Sequence, residues 1–122
     1  MNFKNPAGID IDTLLQLKYL QGPGEPDIYR ELISAFFARA PDDLVQIELA
    51  YAQNETLKVS RIAHGLKSGA QILGALRLAE ICFKLEHEAN IGAALVPILK
   101  SEYALVRDGL NQFLSRQPGQ QA

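Results

Sequence analysis

Apolar residues recur every three or four positions along most of this chain, and no segment alternates between apolar and polar residues as a half-buried strand does. This spacing places the apolar side chains on one face of an α-helix. Glycine, proline and asparagine interrupt the pattern at a few places, where they favour turns over helix interiors. The sequence therefore predicts an all-α fold.

Five helices follow from these interruptions. A first, short helix of about residues 10–20 ends at the glycines and proline of residues 21–24. The second helix opens near residues 25–27, where a proline suits the first turn and acidic side chains complement the helix dipole. Gly74 suits the left-handed end of the third helix. The last three helices are expected over about residues 55–73, 75–88 and 93–114.

Pro41 interrupts the second helical segment, because proline lacks an amide hydrogen and clashes with the preceding turn. We expect the helix to end or kink at about Ala40. The apolar pattern resumes at Leu44 and continues to a break at residues 52–54. The two aspartates after Pro41 either start a new helix or lie just beyond a kink, and the pattern leaves both possibilities open.

Short loops between long amphipathic helices favour antiparallel neighbours. The expected architecture is an antiparallel up-down four-helix bundle, with the additional short N-terminal helix across one end or side. The 122 residues fit one domain, with an ordered core of about 9–115 and a flexible tail of about 117–122. The apolar set expected on the four long helices is Ile28, Leu32, Ile33, Phe36, Phe37, Leu44, Ile47, Leu49, Ala50, Val59, Ile62, Ala63, Leu66, Ala70, Leu73, Ala75, Leu78, Cys82, Leu85, Ala89, Leu95, Ile98, Leu99, Tyr103, Val106, Leu110 and Phe113.

The composition excludes several classes of function. The net charge is -2 and lysines and arginines do not cluster, so the basic footprint of a nucleic-acid-binding protein is absent. The apolar runs are too short to span a bilayer, and residues 1–8 lack the apolar middle of a signal peptide. One cysteine, Cys82, rules out an internal disulfide, and with two histidines it cannot build a standard structural zinc site. We expect a cytoplasmic monomer that does not insert into membranes.

His64 is the most informative polar residue of the chain. On a helical wheel, the apolar stripe of the third helix lies on the side opposite to His64. The imidazole is therefore expected in the middle of the solvent-facing surface. His87, between two glutamates on the fourth helix, is expected to be ordinary solvated surface, and Cys82 on its core stripe a small buried hydrophobe.

The neighbours of His64 give it a possible chemistry. Lys67 lies three residues later on the same face, within side-chain reach. An exposed imidazole beside a cation and small residues suits the reversible uptake of a phosphoryl group, because cations stabilise the added negative charge. Taken singly, each of these residues is more typical of an ordinary solvated surface position. Gly69 leans toward the core edge and suits helix packing. The supporting residues on this face are Arg61, Gly65, Ser68 and Gln71.

The motif around His64 resembles the histidine phosphotransfer (Hpt) domain of multistep two-component phosphorelays. The likeness covers about residues 25–90 directly, and the helical layout extends it over nearly the whole chain. One departure is Ser68, where many family members have glycine; here Gly69 follows it, and serine is small enough to leave access. The residues that carry the resemblance are Ala63, His64, Leu66, Lys67, Ser68, Leu73, Gly74, Ala75, Leu78, Cys82, Leu85 and Glu86.

The resemblance implies a phosphocarrier rather than an autonomous kinase. Hpt domains take a phosphoryl group from an aspartate of one receiver domain and pass it to an aspartate of another. His64 would carry it, by family analogy through Nε2, and Lys67 would steady the phosphoryl oxygens. Receiver domains of response regulators and hybrid histidine kinases would be the partners, and any magnesium ion would belong to them. No glycine-rich phosphate loop or nucleotide-binding signature is present, so neither ATP nor another cofactor is expected.

Two other functions fit the same pattern less well. One is a receiver-docking module that carries no phosphoryl group, although it would have no reason to keep both His64 and Lys67. The other is the phosphoryl-accepting domain of a chemotaxis-type histidine kinase, whose motif usually differs around the histidine. A helical metal protein is disfavoured, because neither histidine has a Glu-x-x-His partner facing the core.

The apolar residues of the first helical segment either contact a partner or cap the bundle: Ile9, Ile11, Leu14, Leu15, Leu17 and Leu20.

Overall fold

The computed structural model describes residues 8–20, 22, 24, 27–88, 90 and 92–117. Within these residues the regular structure is helical, and no strand occurs. The tail that was expected to be flexible lies outside the described residues from residue 118 onward. The helices are α1 (Ile11–Leu20), α2 (Ile28–Ala52), α3 (Thr56–Ile72), α4 (Leu76–His87) and α5 (Gly92–Ser115).

The four long helices form the bundle predicted from the sequence. The most extensive interface joins α3 to α4, followed by that between α2 and α3, and α5 packs on both α4 and α2. The short helix α1 packs on α2. The prediction of an all-α, four-helix bundle with an additional N-terminal helix is confirmed. None of the helices in the described part of the chain has the length and apolar character needed to cross a bilayer.

Pro41 does not end the second helix, so of the two predicted alternatives, an end or a kink at about Ala40, the end was wrong. Helix α2 continues from Ile28 to Ala52 with Pro41 inside it, and both aspartates that follow lie within the same helix. Pro41 is exposed, so water can bind the carbonyl that lacks its usual amide partner. The exposed Pro97 is accommodated inside α5 in the same way.

The core contains most of the apolar residues expected from the pattern. Tyr29 and Phe113 meet edge to face, with ring centroids 5.7 Å apart, at one end of the core. Ile28, Leu49 and Ile98 were expected on the apolar stripes but are about half exposed, because they lie at the edges of those stripes. Ala89 lies outside the described residues.

The first helix caps the bundle with most of its apolar residues. Ile9 and Leu14 are buried, and Leu20 is 81% exposed. The others pack partly buried against the core, and these are Ile11, Leu15 and Leu17. Packing thus accounts for five of the six apolar residues noted in this segment.

Gly74 joins α1 to the turn between α3 and α4. Its φ of 78° is the left-handed conformation expected from the sequence. Its carbonyl accepts a hydrogen bond of 2.8 Å from the amide of Asp10, and its own amide donates to the carbonyl of Gln71. A Cβ at this position would lie 2.7 Å from the Asp10 carbonyl oxygen and 2.9 Å from Thr13 Cβ. The turn therefore requires glycine for both its conformation and its close contacts.

We predict that Gly74→Ala lowers the free energy of unfolding by about 2–4 kcal/mol, because a positive φ and two close contacts act together. Gly24→Ala is the matched control: Gly24 has a φ of 79°, but in the described part of the chain no atom beyond its chain neighbours lies within 4 Å of the added methyl group. It should cost only the conformational part, about 1 kcal/mol. Urea unfolding followed by circular dichroism measures both. Equal losses in the two variants would show that the contacts with α1 contribute nothing.

Candidate functional site

His64 lies on the outer face of α3, where the helical wheel placed it. Its side chain is 61% exposed. The opposite face of the helix packs into the bundle through four fully or almost fully buried residues, Val59, Ala63, Leu66 and Ala70. This burial fixes the rotation of α3 about its axis, so the imidazole is held at the surface by the core behind it.

A carboxylate on α4 joins the two predicted site residues. Glu86 Oε2 lies 2.7 Å from Nδ1 of His64, and Glu86 Oε1 lies 2.6 Å from Nζ of Lys67. The backbone of Glu86 is also fixed, because its carbonyl oxygen accepts a 2.7 Å hydrogen bond from the hydroxyl of Ser60 on α3. One residue of α4 therefore makes three contacts with a single face of α3.

Glu86 remains ionised in this setting. The hydrogen bond from Lys67 has the largest effect and lowers the pKa of the Glu86 carboxyl below its ordinary value of 4.5. Desolvation, the next largest effect, opposes this shift, and the contact with His64 adds to the lowering. Near neutral pH the group is a carboxylate, which can only accept hydrogen bonds. Nδ1 of His64 must therefore carry the proton in their contact. In the neutral imidazole this leaves the lone pair on Nε2, the ring nitrogen that Glu86 does not contact.

Lys67 is enclosed rather than free. Its side chain is only 14% exposed, and Nζ lies 5.3 Å from the centroid of the Phe83 ring as well as against Glu86. An ammonium over an aromatic face is attracted by the ring electrons. The lysine is thus held beside His64 by two residues of α4.

The four supporting residues named from the sequence all lie on α3. Arg61, Ser68 and Gln71 are exposed on α3. The hydroxyl of Ser68 donates to the carbonyl of His64, 3.2 Å away, and so bonds within its own helix. Gly65 is half-buried and faces α2, where a Cβ would lie 3.6 Å from an Arg39 guanidinium nitrogen.

A groove of about 280 Å³ runs between α2 and α3 beside the histidine. Its floor is apolar, with Phe36 of α2 close to Gly69 of α3: a Cβ on Gly69 would lie 3.3 Å from the Phe36 ring. Gly69 therefore permits close approach of the two helices, as its position at the core edge suggested. The polar side chains on the groove wall are Arg39, Asp43 and Ser68.

Sequence reasoning missed Glu86 and Arg39 as parts of this surface. Glu86 was recognised in the motif but not paired with His64, because a wheel of α3 alone does not show which side chains of α4 face it. One signal was present: Glu86 follows the core residue Leu85, just as Lys67 follows the core residue Leu66. Charged residues next to the core stripes of neighbouring helices are well placed to pair across the interface.

Two further candidates lie outside this network. His87 is exposed, as expected, but its ring packs on Phe83 with centroids 4.2 Å apart, and its Nδ1 lies 3.0 Å from the Phe83 carbonyl oxygen. Cys82 is completely buried, and burial raises the pKa of its thiol to about 12, so it is an inert core residue. Among the described residues, no group of three or more histidine, cysteine or acidic side chains is arranged to hold a metal ion.

Comparison with known proteins identifies a sequence family and a structural relative. The sequence matches the family model described as "Hpt domain" over residues 31–115, which is more than half of the chain. The structure is similar to the crystal structure of histidine-containing phosphotransfer protein B (HptB) from Pseudomonas aeruginosa PAO1, with a TM-score of 0.80 and 25% sequence identity. That likeness covers 90% of this chain and 96% of the other. No curated protein gives a significant sequence match.

We predict a characteristic pH dependence for Glu86→Gln. Because folding lowers the pKa of Glu86, its ionic contacts stabilise the fold above the ordinary value of 4.5, and this stabilisation is lost as the pH falls through the folded-state value. The difference in free energy of unfolding between wild type and variant should be constant near neutral pH and shrink below pH 4.5. Urea unfolding at a series of pH values measures it.

Glu80→Gln, which alters an exposed glutamate of the same helix, controls for the loss of one negative charge. A wild-type advantage over Glu86→Gln that stays constant down to strongly acidic pH would contradict the assignment of Glu86 as a paired carboxylate.

Proposed function

The chain belongs to the Hpt domain family, and we propose from this premise that His64 carries a phosphoryl group on its Nε2 atom. The family and the likeness to HptB make the chain a histidine phosphotransfer protein of a two-component phosphorelay. The assignment of individual residues rests on the geometry around His64. The observation that carries it is the contact of Glu86 with Nδ1 of an exposed imidazole.

This contact supports a nucleophile held in one orientation. The Glu86 carboxylate accepts a hydrogen bond from the Nδ1–H of His64, so the Nε2 lone pair is available for attack. An exposed side chain leaves room for a second protein to bring a phosphoryl group in line with that lone pair. Ser60 and Lys67 hold Glu86 from two sides, which keeps the imidazole positioned before a partner arrives.

In the transfer, one bond to phosphorus forms and one breaks. Nε2 of His64 forms the N–P bond, while the bond from phosphorus to the carboxylate oxygen of a receiver aspartate breaks and its electron pair stays on that carboxylate. The ring gains positive charge and keeps the proton on Nδ1. Glu86, 2.7 Å from that atom, offsets the positive charge as it develops. Reversal of the same steps passes the phosphoryl group to a second receiver.

Lys67 has two tasks in this proposal. It holds Glu86 through a 2.6 Å hydrogen bond, and its ammonium has further N–H donors for phosphoryl oxygens. Its enclosure by Glu86 and Phe83 keeps the ammonium beside His64 instead of extended into solvent. A partner approaches over a part of α3 whose residues are small or polar, namely Arg61, Gly65, Ser68 and Gln71.

In this proposal the partners are receiver domains of response regulators and hybrid histidine kinases. The protein that binds them is a cytoplasmic monomer with a single domain. The apolar groove between α2 and α3 lies beside His64 and supports docking there, because a receiver must cover the imidazole and exclude water during transfer. Ile72, one of its lining residues, is about half exposed and adds apolar surface to the groove. The assembled contacts of His64, Glu86 and Lys67 favour a phosphoryl carrier over a module that only docks receivers.

We predict that His64→Gln abolishes phosphoryl uptake and leaves the fold intact. The side chain is exposed, so its replacement removes the nucleophile without disturbing the core. A panel of receiver domains phosphorylated with acetyl phosphate serves as donor, and the label on this protein is tested for acid lability and base stability. His87→Gln is the matched control, since His87 is the other histidine and is also exposed.

Label on wild type and His87→Gln, and none on His64→Gln, supports the assignment. Label that persists in folded His64→Gln would exclude His64 as the acceptor. Receiver binding without label on any of the three proteins would favour the docking module.

For Lys67→Ala we predict slower transfer, by about tenfold to a hundredfold, because the variant loses both a donor to the phosphoryl oxygens and the residue that holds Glu86. Lys58→Ala, an exposed lysine near the start of α3, controls for the loss of one positive charge. Rapid-quench measurement of transfer from the receiver gives both rates. Equal rates in wild type and Lys67→Ala would remove Lys67 from the mechanism.

A further inference from the structure

The phosphorylated site would hold more negative charge than its known partners balance. Lys67 and Glu86 already form an ion pair with Nζ to Oε1 of 2.6 Å, so their charges cancel. A phosphoryl group brings roughly −1.5 to −2 charges near neutral pH. Even with positive charge on the imidazole ring, the site keeps an excess of negative charge. A further cation within reach of His64 would stabilise the phosphorylated form.

Arg39 of α2 lies on the opposite side of His64 from Glu86. One of its guanidinium nitrogens is 3.6 Å from the position that a Cβ on Gly65 would occupy, and Gly65 is the residue next to His64. The guanidinium therefore lies close to α3 at the residue next to the histidine. Arg39 and Ser68, which is one turn after His64, line the same groove.

The present partner of Arg39 holds it weakly. Arg39 Nε lies 3.6 Å from Oδ2 of Asp43, one helical turn along α2, and the arginine side chain is 76% exposed. An exposed ion pair with such a separation contributes little, so leaving it costs little. Asp43 is largely buried, and desolvation raises the pKa of its carboxyl, which makes it a poorer anion than a phosphoryl group at the surface.

Arg61, the other exposed arginine near His64, is placed less well. Side chains on a helix lean toward its N-terminus, and Arg61 precedes His64 by three residues, so it leans away from the imidazole. It lines a shallow hollow at the start of α3 together with Lys58 and Glu55. Arg39 reaches α3 from a second helix and does not have this restriction.

We propose that Arg39 is a second phosphoryl-binding residue, which leaves Asp43 and binds the oxygens of the phosphoryl group on His64. This inference rests on the proposed function of His64. Gly65 adds no side chain between the guanidinium and α3, so the space through which Arg39 would move toward Nε2 is open. The two cations then approach the phosphoryl group from opposite sides, Lys67 from the α4 side and Arg39 from the α2 side.

The test is the ionisation of the phosphoryl group itself, measured in the protein alone. The full chain is phosphorylated with phosphoramidate, and the ³¹P chemical shift of phosphohistidine is followed against pH. A bound cation favours the dianion and lowers the second pKa of the phosphoryl group. Arg39→Gln should raise that pKa by about half a unit or more, which is about a threefold change in the ionisation constant.

Three further variants test the direction and the specificity of this effect. Asp43→Asn removes the competing carboxylate with little change of shape, so the phosphoryl pKa should fall below that of the wild type. Arg39→Lys retains the charge and should restore part of the shift. Arg107→Gln, an exposed arginine of α5, changes the net charge equally but lies on a helix that packs on α2 and α4, away from this face of α3. It should leave the phosphoryl pKa unchanged.

The outcomes separate this inference from the proposed function. Wild-type protein that gains no phosphohistidine signal, or gains one that survives His64→Gln, would overturn both. A phosphorylated His64 whose pKa is the same in wild type and Arg39→Gln would overturn only the role of Arg39. Equal shifts in Arg39→Gln and Arg107→Gln would show a general effect of net charge and would also exclude direct binding.

Discussion

The site depends on one carboxylate of α4 that binds two side chains of α3. Glu86 of α4 accepts from His64 Nδ1 at 2.7 Å and from Lys67 Nζ at 2.6 Å, and both of these residues belong to α3. Without it, the imidazole would be an exposed side chain free to rotate, with its proton on either nitrogen. With it, the orientation and the tautomer are fixed before a phosphoryl donor arrives. Ordering the nucleophile therefore adds less to the free-energy barrier of the transfer.

The rest of the fold keeps α3 and α4 in the register that this carboxylate needs. The buried faces of both helices set their rotation, and the bond from Ser60 to the Glu86 carbonyl fixes their relative height at the site. At the other end, Gly74 turns the chain so that α4 returns along α3, and its carbonyl ties that turn to α1. A structural turn and a short N-terminal helix thus support a site several helical turns away.

Much of this arrangement could be predicted from the sequence, and the exceptions have physical reasons. The exposure of His64 and the left-handed Gly74 followed from helical periodicity and backbone sterics, which are local. Pro41 was overestimated as a helix breaker, because on an exposed face its missing amide is easily tolerated within a long packed helix. The pairing of Glu86 with His64 and the position of Arg39 depend on how neighbouring helices pack, and a wheel of one helix contains no such information.

The central claim is that Glu86 keeps the imidazole proton on Nδ1 of His64 and so leaves Nε2 to take the phosphoryl group. The most direct measurement is ¹⁵N–³¹P correlation NMR on uniformly ¹⁵N-labelled, phosphorylated protein, which identifies the ring nitrogen bonded to phosphorus. We predict coupling from phosphorus to Nε2 of His64, with a protonated Nδ1. A phosphorus atom bonded to Nδ1 of His64, or to either nitrogen of His87, would contradict the account.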